Sequence, residues 1–214
     1  YVLMGDGCMM EGVQAEAAAL AGVMQLHKLI VLYDSNRITI EGSTDIALTE
    51  DVQKRYEAYG WDVQQVADGA DVAAIEAAIA KAKTTSTPSL IIVHTNIAHG
   101  TPKQGKASAH GEPLGADNIA AMREFYHWEA APFEIPQDVR DHFAAMLPGF
   151  EKQEADYNAM FQAYQAAYPE LYAQWQAYHS KALPEALLQD DSLFTADKPT
   201  ATRASSGTVL NKLN

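Results

Sequence analysis

Cysteine is nearly missing from this chain of 214 residues. Cys8 is the single one, so no disulfide can form within the chain, and a reducing, cytoplasmic setting is the expectation. Cations are scarce as well. Fifteen Lys and Arg stand against 28 Asp and Glu, a formal charge of −13. That balance excludes nucleic acid and anionic membrane as main partners. No apolar run approaches the ~20 residues that cross a bilayer, so no transmembrane helix is expected. The opening YVLMGDG has no basic stretch ahead of a long apolar one, so no signal peptide is expected either. The chain begins without Met, directly on a strand-like run, and is read as a piece of a longer polypeptide.

What is present is ordinary for a globular protein: 48% hydrophobic and 20% charged residues. Tyr1 to Met4 predicts a strand buried on both faces, ended by Gly5-Asp6-Gly7. Glu11 to Leu26 is Ala-rich and apolar almost all round, which predicts a well-buried helix. Leu29 to Tyr33 predicts a second buried strand, completing a βαβ unit. Helix (Thr49 to Tyr59), strand (Trp61 to Val66), helix (Asp71 to Lys83) and buried strand (Ser89 to His94) follow. The alternation predicts an α/β fold with a parallel, doubly wound sheet.

A long loop then runs from Asn96 to Gly115, of a length that is usually functional or disordered. A short helix over Asp117 to Phe125 follows, then an extended segment with Pro132, Pro136 and Pro148. A long helix is expected from Phe150 to about Leu183, interrupted at Pro169. On it Tyr157, Phe161, Tyr164 and Tyr168 share one face, read as a packing stripe against a neighbouring domain. Gln189 to Ala201 reads as a polar linker.

The chemistry concentrates between Gly5 and Asn36. A Gly-Asp-Gly turn where a buried strand meets a helix lies at the carboxyl edge of the sheet, where open α/β folds bind ligands. Gly7 lets backbone approach a phosphate, and a helix N-terminus supplies N–H groups. An acidic chain needs such local devices to hold an anion. Asp6 would repel a diphosphate unless a divalent cation lay between them. Asp34-Ser35-Asn36, at the end of the adjoining strand, offers an amide oxygen from Asn36, and the Ile38 carbonyl would point the same way. One carboxylate, one amide and one carbonyl leave room for two diphosphate oxygens and a water in a six-coordinate site.

The stretch GDGCMMEGVQAEAAALAGVMQLHKLIVLYDSNRITIEG resembles the thiamine-diphosphate signature of transketolases. So do, in order, RYEAYGWDV, PSLIIVHT, SAHGEPLG and APFEIP, and TATRASSGTVLN resembles the start of that family's pyrimidine-binding domain. The resemblance implies a thiamine-diphosphate-binding fold followed by a helical and extended linker. It implies a diphosphate-binding domain over residues 1–130, a linker over 131–199 and the start of the pyrimidine domain over 200–214. By the same resemblance Asp6, Asn36 and the Ile38 carbonyl bind Mg²⁺ (or Ca²⁺ or Mn²⁺). Gly5 and Gly7 receive the diphosphate. Ile40 and Ile97 clamp the thiazolium ring, since a dry apolar clamp favours uncharged species. His110 reaches the diphosphate and the sugar phosphate substrate, and Glu11 links two active sites across a homodimer. The expected reaction moves a two-carbon ketol unit from a ketose to an aldose, with the cofactor carrying the chemistry. The Glu that activates the cofactor's pyrimidine, and the early substrate histidines, belong to parts of the family outside these residues.

A formaldehyde-accepting dihydroxyacetone synthase shares these motifs, and a non-catalytic cofactor-binding subunit is the alternative of a different class. MMEG and HGEPLG speak against a deoxyxylulose-phosphate synthase or a phosphoketolase. His27, His94, His127, His142 and His179 are read as structural, His99 is left open, and Cys8 is read as a small buried thiol.

Overall fold

A computed structural model describes residues 1–180, 189–193, 195 and 198–213. It groups them into two units, residues 1–132 and 133–214. In the first unit the apolar runs become four parallel strands: β1 (Val2–Gly5), β2 (Ile30–Ser35), β3 (Asp62–Val66) and β4 (Ser89–His94). Their order across the sheet is β1-β2-β4-β3. Parallel neighbours need crossovers, and these hold the helices α1 (Asp6–Met9), α2 (Gly12–Val23), α3 (Val52–Ala58) and α4 (Val72–Ala82). A further helix, α5 (Ala116–Phe125), follows the long loop.

The two central strands explain the layering. In β2 and β4 successive side chains go to opposite faces. Val31, Tyr33, Leu90 and Ile92 pack with Ala18 and Ala21 of α2 and with Val52 and Tyr56 of α3. Ile30, Ile91 and Val93 pack on the other face with Ala78 and Ala82 of α4. Helices therefore cover both faces, as a doubly wound sheet requires. The register pairs Gly5 with Asp34 and Ser35 with His94, which brings the carboxyl ends of β1, β2 and β4 level.

Local chemistry sets the element ends. Asp51 and Asp71 accept the amides of Lys54 and Ala74 as N-caps, so α3 starts later than its apolar pattern suggests. Between α3 and β3 the chain turns at Gly60, φ +85°, in the left-handed region that suits glycine. Trp61 then buries its ring edge-on to Tyr56 at 5.0 Å, and its indole N–H donates to the Ala18 carbonyl at 2.9 Å.

Four expectations are corrected. β1 is an edge strand, and Leu3 is 82% exposed rather than buried. The helix after the Gly-Asp-Gly turn is split into α1 and α2, and in α2 only Ala18 and Ala21 are buried while Val13, Leu20 and Val23 face outward. Apolar composition all round says that every face could be covered; among the described residues only one is. Cys8 is exposed, lining a hollow with Leu3, Met4 and Leu32 rather than joining either core cluster. The segment expected to be extended around Pro148 is instead part of α6 (Gln137–Ala167), which runs through that proline. An internal proline removes one backbone hydrogen bond and kinks a helix, yet helix-forming neighbours such as Ala144, Ala145, Met146 and Leu147 carry it past.

The break at Pro169 is observed: Tyr168, at φ −135° and ψ 62°, leaves the helical region ahead of the proline, and α7 (Pro169–His179) restarts there. The aromatic stripe packs within its own unit, with Phe161 4.8 Å from Trp175 and 5.3 Å from Tyr172 of α7. The expected end near Leu183 lies outside the described residues. A last helix, α8 (Thr202–Leu213), closes the described chain.

Two predictions follow from this core. A Cβ at Gly22 would lie 1.9 Å from the Tyr59 carbonyl oxygen, a rigid backbone atom. Gly22→Ala should lower stability by about 1–3 kcal/mol in urea unfolding, while Gly12→Ala, where a Cβ meets nothing within 4 Å, should not. Burial pushes the Tyr56 phenol from 10.0 up to about 12. The folded state then keeps a proton that the unfolded state releases, so stability should fall as pH rises from about 10 to about 12. Tyr56→Phe should flatten that slope, read as unfolding midpoints across the alkaline range.

Candidate functional site

Asp6 opens α1, one residue beyond the end of β1, and its side chain is 3% exposed. A buried carboxylate needs donors, and three are supplied. The Tyr33 hydroxyl donates to Oδ1 at 2.5 Å. The amides of Asn36 and Arg37 donate to Oδ2 at 3.1 and 2.9 Å. Among the described residues no Lys, Arg or His forms an ion pair with it. Burial, and secondly the Asp6 carboxylate, hold the Tyr33 phenol above its ordinary range, so Tyr33 stays a proton donor.

The segment after β2 is shaped around this anchor. Arg37 adopts φ +62°, which redirects the chain just after the amide that meets Asp6. The Asn36 amide oxygen accepts the Ile38 N–H at 2.9 Å. Beyond it a small hairpin closes, with Thr39 N–H donating to the Gly42 carbonyl at 2.7 Å and Thr44 N–H to Arg37 at 3.0 Å. Ile38 and Ser43 are the facing pair between those two bonds. In such a pair N–H and C=O point away from the partner strand. The Ile38 carbonyl therefore points to the side on which its N–H meets Asn36, and among the described residues nothing donates to it.

This donor set fits a hard divalent cation. A carboxylate has about four lone-pair positions and an amide or carbonyl oxygen two. Asp6 uses three, Asn36 one and Ile38 none, so each of the three keeps a position for a metal. Among the described residues no cluster of three or more His, Cys, Asp or Glu could hold one. A metal at this site would thus rest on a single carboxylate and neutral oxygens, which suits Mg²⁺ shared with a ligand's phosphates.

The remaining predicted residues fall as follows. Gly7, Glu11, Ile40 and His110 line one hollow of about 670 Å³, together with Cys8 and Gln14. Gly5 lines a second hollow of about 450 Å³ with Asp34, Gly69 and Thr95. At Gly5 and Gly7 an added Cβ would meet nothing within 4 Å, so the backbone there is open to a ligand. Glu11 is the N-cap of α2, exposed, and its side chain makes no capping bond. Ile40 is 69% exposed at the hairpin tip. Ile97 is half-buried in the loop after β4, its carbonyl accepting from Gly105 at 3.0 Å, and it is not among the residues lining the hollow with Ile40. His99 pairs with the Tyr126 hydroxyl at 2.9 Å and stands edge-on to Phe125.

Sequence reasoning missed Tyr33, which carries the anchor, and Thr95, whose hydroxyl donates to Asp34. Both sit at strand ends one or two residues from the predicted site, and that position was the available signal.

A parallel sheet whose carboxyl edge presents an open glycine turn, a metal-compatible oxygen set and a hollow beside them defines a binding domain for a phosphorylated cofactor. The comparisons say which. The family described as transketolase, thiamine diphosphate binding domain, matches residues 1–184, and the chain belongs to it. A transketolase of a Nostoc species is 44% identical over 217 residues, covering 100% of this chain and 32% of that one. Transketolase 1 of Vibrio parahaemolyticus is 51% identical over 170 residues, covering 79% and 26%. Among solved structures, a Pichia stipitis transketolase complexed with sedoheptulose 7-phosphate matches with a TM-score of 0.76 at 42% identity, over 82% of this chain and 26% of that one. The Leishmania mexicana transketolase matches with a TM-score of 0.76 at 38% identity, over 83% and 27%. The chain spans about a third of the length of the curated relatives it matches.

Tyr33→Phe removes a buried hydrogen bond to a charged group. It should cost about 1.5–3 kcal/mol of stability, measured by urea unfolding. A loss under ~0.5 kcal/mol would show that Asp6 does not depend on it.

Proposed function

We propose that this chain is the diphosphate-binding part of a transketolase. The whole protein would transfer a two-carbon ketol unit from a ketose phosphate to an aldose phosphate, using thiamine diphosphate and Mg²⁺. The observation that carries this reading is the Asp6–Asn36–Ile38 oxygen set at the carboxyl edge of the sheet, with Gly7, next to Asp6 in the chain, lining a hollow shared with Glu11, Ile40 and His110.

When bound, the cofactor supplies a carbon nucleophile that accepts and then releases the two-carbon unit. The chain's own residues bind and orient it. Asp6, Asn36 and the Ile38 carbonyl would hold the metal, which would supply the positive charge that lets an acidic turn accept a diphosphate. Gly5 and Gly7 present backbone to the diphosphate. Ile40 and Ile97, which line no hollow in common among the described residues, would each offer the reactive ring an apolar wall. His110 is a proton carrier at the substrate's reacting end, and its exposed position on the hollow leaves it accessible to a ligand. Glu11 would link the two active sites across a homodimer, a role supported by its exposed side chain that makes no capping bond at the start of α2. Residues 1–130 form the diphosphate domain, 131–199 the linker, and 200–214 open the pyrimidine domain. A cytoplasmic setting accords with one cysteine and with the lack of any long apolar helix among the described residues. Pichia stipitis transketolases complexed with fructose 6-phosphate and with sedoheptulose 7-phosphate match this chain, which supports sugar phosphates as substrates.

Calorimetry of the full-length protein tests the cradle. Asp6→Ala should weaken Mg²⁺-dependent thiamine diphosphate binding by at least about 100-fold, more than the 10–100-fold typical of residues one step behind a metal. Binding that survives unchanged would remove the metal assignment. The 214 residues alone should show no ketol transfer, and formaldehyde as the preferred acceptor of the full-length enzyme would favour a dihydroxyacetone synthase.

A further inference from the structure

The segment bearing Asp6 and Gly7 is gripped from behind by α3. We infer that Arg55 is a positioning residue for the Asp6–Met9 turn, holding it in the shape that receives the metal and diphosphate. This rests on the reading of that turn as the cradle.

Arg55 lies 46 residues beyond Met9 in sequence, yet its Nη2 donates to the Met9 carbonyl at 3.3 Å. The same nitrogen pairs with Glu50 at 2.8 Å, and Nη1 donates to the Gln14 amide oxygen at 3.4 Å. Its side chain is 18% exposed. The neighbouring Tyr56 is 1% exposed, bonds the Gln14 amide nitrogen through its hydroxyl, and lies 3.7 Å from the Met9 sulfur. Two consecutive residues of α3 thus hold the last residue of α1 and the first turn of α2. Asp6 and Met9 are one helical turn apart, about 5 Å, so a shift at the Met9 carbonyl moves Gly7 and the Asp6 backbone with it.

The guanidinium is suited to this task. Its planar fork serves a backbone carbonyl, an amide oxygen and a carboxylate at once, which a lysine ammonium on a flexible stem does not. Its Nε–H is buried without a partner among the described residues. A buried orphan donor is costly, and here the head group leaves it unmet while reaching the Met9 carbonyl, the Gln14 amide oxygen and Glu50. Glu50 compensates the charge from the start of α3, so the grip does not draw on Asp6.

The test uses the full-length protein with Arg55→Met, Arg55→Lys and Ile91→Val, the last a core substitution on the opposite sheet face. Three quantities are read: thermal midpoint, thiamine diphosphate affinity at saturating Mg²⁺, and hydrogen exchange of residues 5–14 without cofactor. Arg55→Met should weaken cofactor affinity about tenfold and speed exchange in 5–14 but not in β4. Arg55→Lys should fall between it and the unaltered protein, and it carries the test alone if Arg55→Met does not fold. Ile91→Val should lower the thermal midpoint and leave affinity within about twofold. The inference falls if the Arg55 variants lose stability with affinity and exchange in 5–14 unchanged, or if Ile91→Val weakens affinity as much. Asp6→Ala separates the two levels. If it abolishes binding while the Arg55 variants bind normally, only the positioning role is lost; if it binds normally, the cradle reading itself fails.

Discussion

A carboxylate is removed from water only where donors replace the water, and Asp6 has three: a phenol and two consecutive backbone amides. The rest of the site depends on that exchange. The phenol comes from β2 and the amides from the segment just beyond it, so one side chain ties the end of β1 to the end of β2 at the carboxyl edge. Arg37 donates its amide to Asp6 and then takes a left-handed backbone, φ +62°, as the chain turns into the hairpin. Without Asp6 the two amides would lose their acceptor, and the hairpin would keep only its own bonds between Arg37, Thr39, Gly42 and Thr44.

The sheet and the site were legible to different degrees, for physical reasons. β4 could be read with its exact bounds because Ser89 to Val93 is buried on both faces and apolarity alone marks it. β1 has the same apolar pattern and is an edge, since composition records what a strand could bury and not which neighbours it has. The same limit explains α2, where Val13, Leu20 and Val23 are apolar and exposed. Cys8 could not be placed because its exposure follows from the single turn of α1, and the short run between Gly5 and Gly12 carried no periodicity to reveal a helix. Pro148 misled because the cost of one missing hydrogen bond is small against a helix of 31 residues.

At the site, the need for a cation beside Asp6 could be argued from charge alone: an acidic residue that faces a phosphate requires one. Tyr33 could not, because a tyrosine at a strand end is as readily a packing residue as a donor, and only the fold shows its hydroxyl against Asp6. Arg55 was equally hidden, since its partners Met9 and Gln14 are more than 40 residues away and offer a carbonyl and an amide rather than a carboxylate.

An acidic chain with an open backbone turn at its sheet edge also shows how local structure can outweigh net charge. At physiological ionic strength exposed charges are screened beyond about 8 Å, so much of the −13 is weak at the cradle. What acts there is close and fixed: open backbone at Gly5 and Gly7, and oxygens that keep free lone pairs. Asp6 is buried, and its three donors spend three of its lone-pair positions on the fold. Under the proposed function, the charge left for a metal would therefore be partly neutralised beforehand. A site built this way would hold Mg²⁺ weakly by itself and firmly only with the diphosphate, because neutral oxygens would complete most of the shell. That coupling would make metal and cofactor binding mutually dependent, and it would require the turn to be rigid before either arrives, since a mobile Asp6 could fold onto the metal without presenting Gly7 to the phosphate.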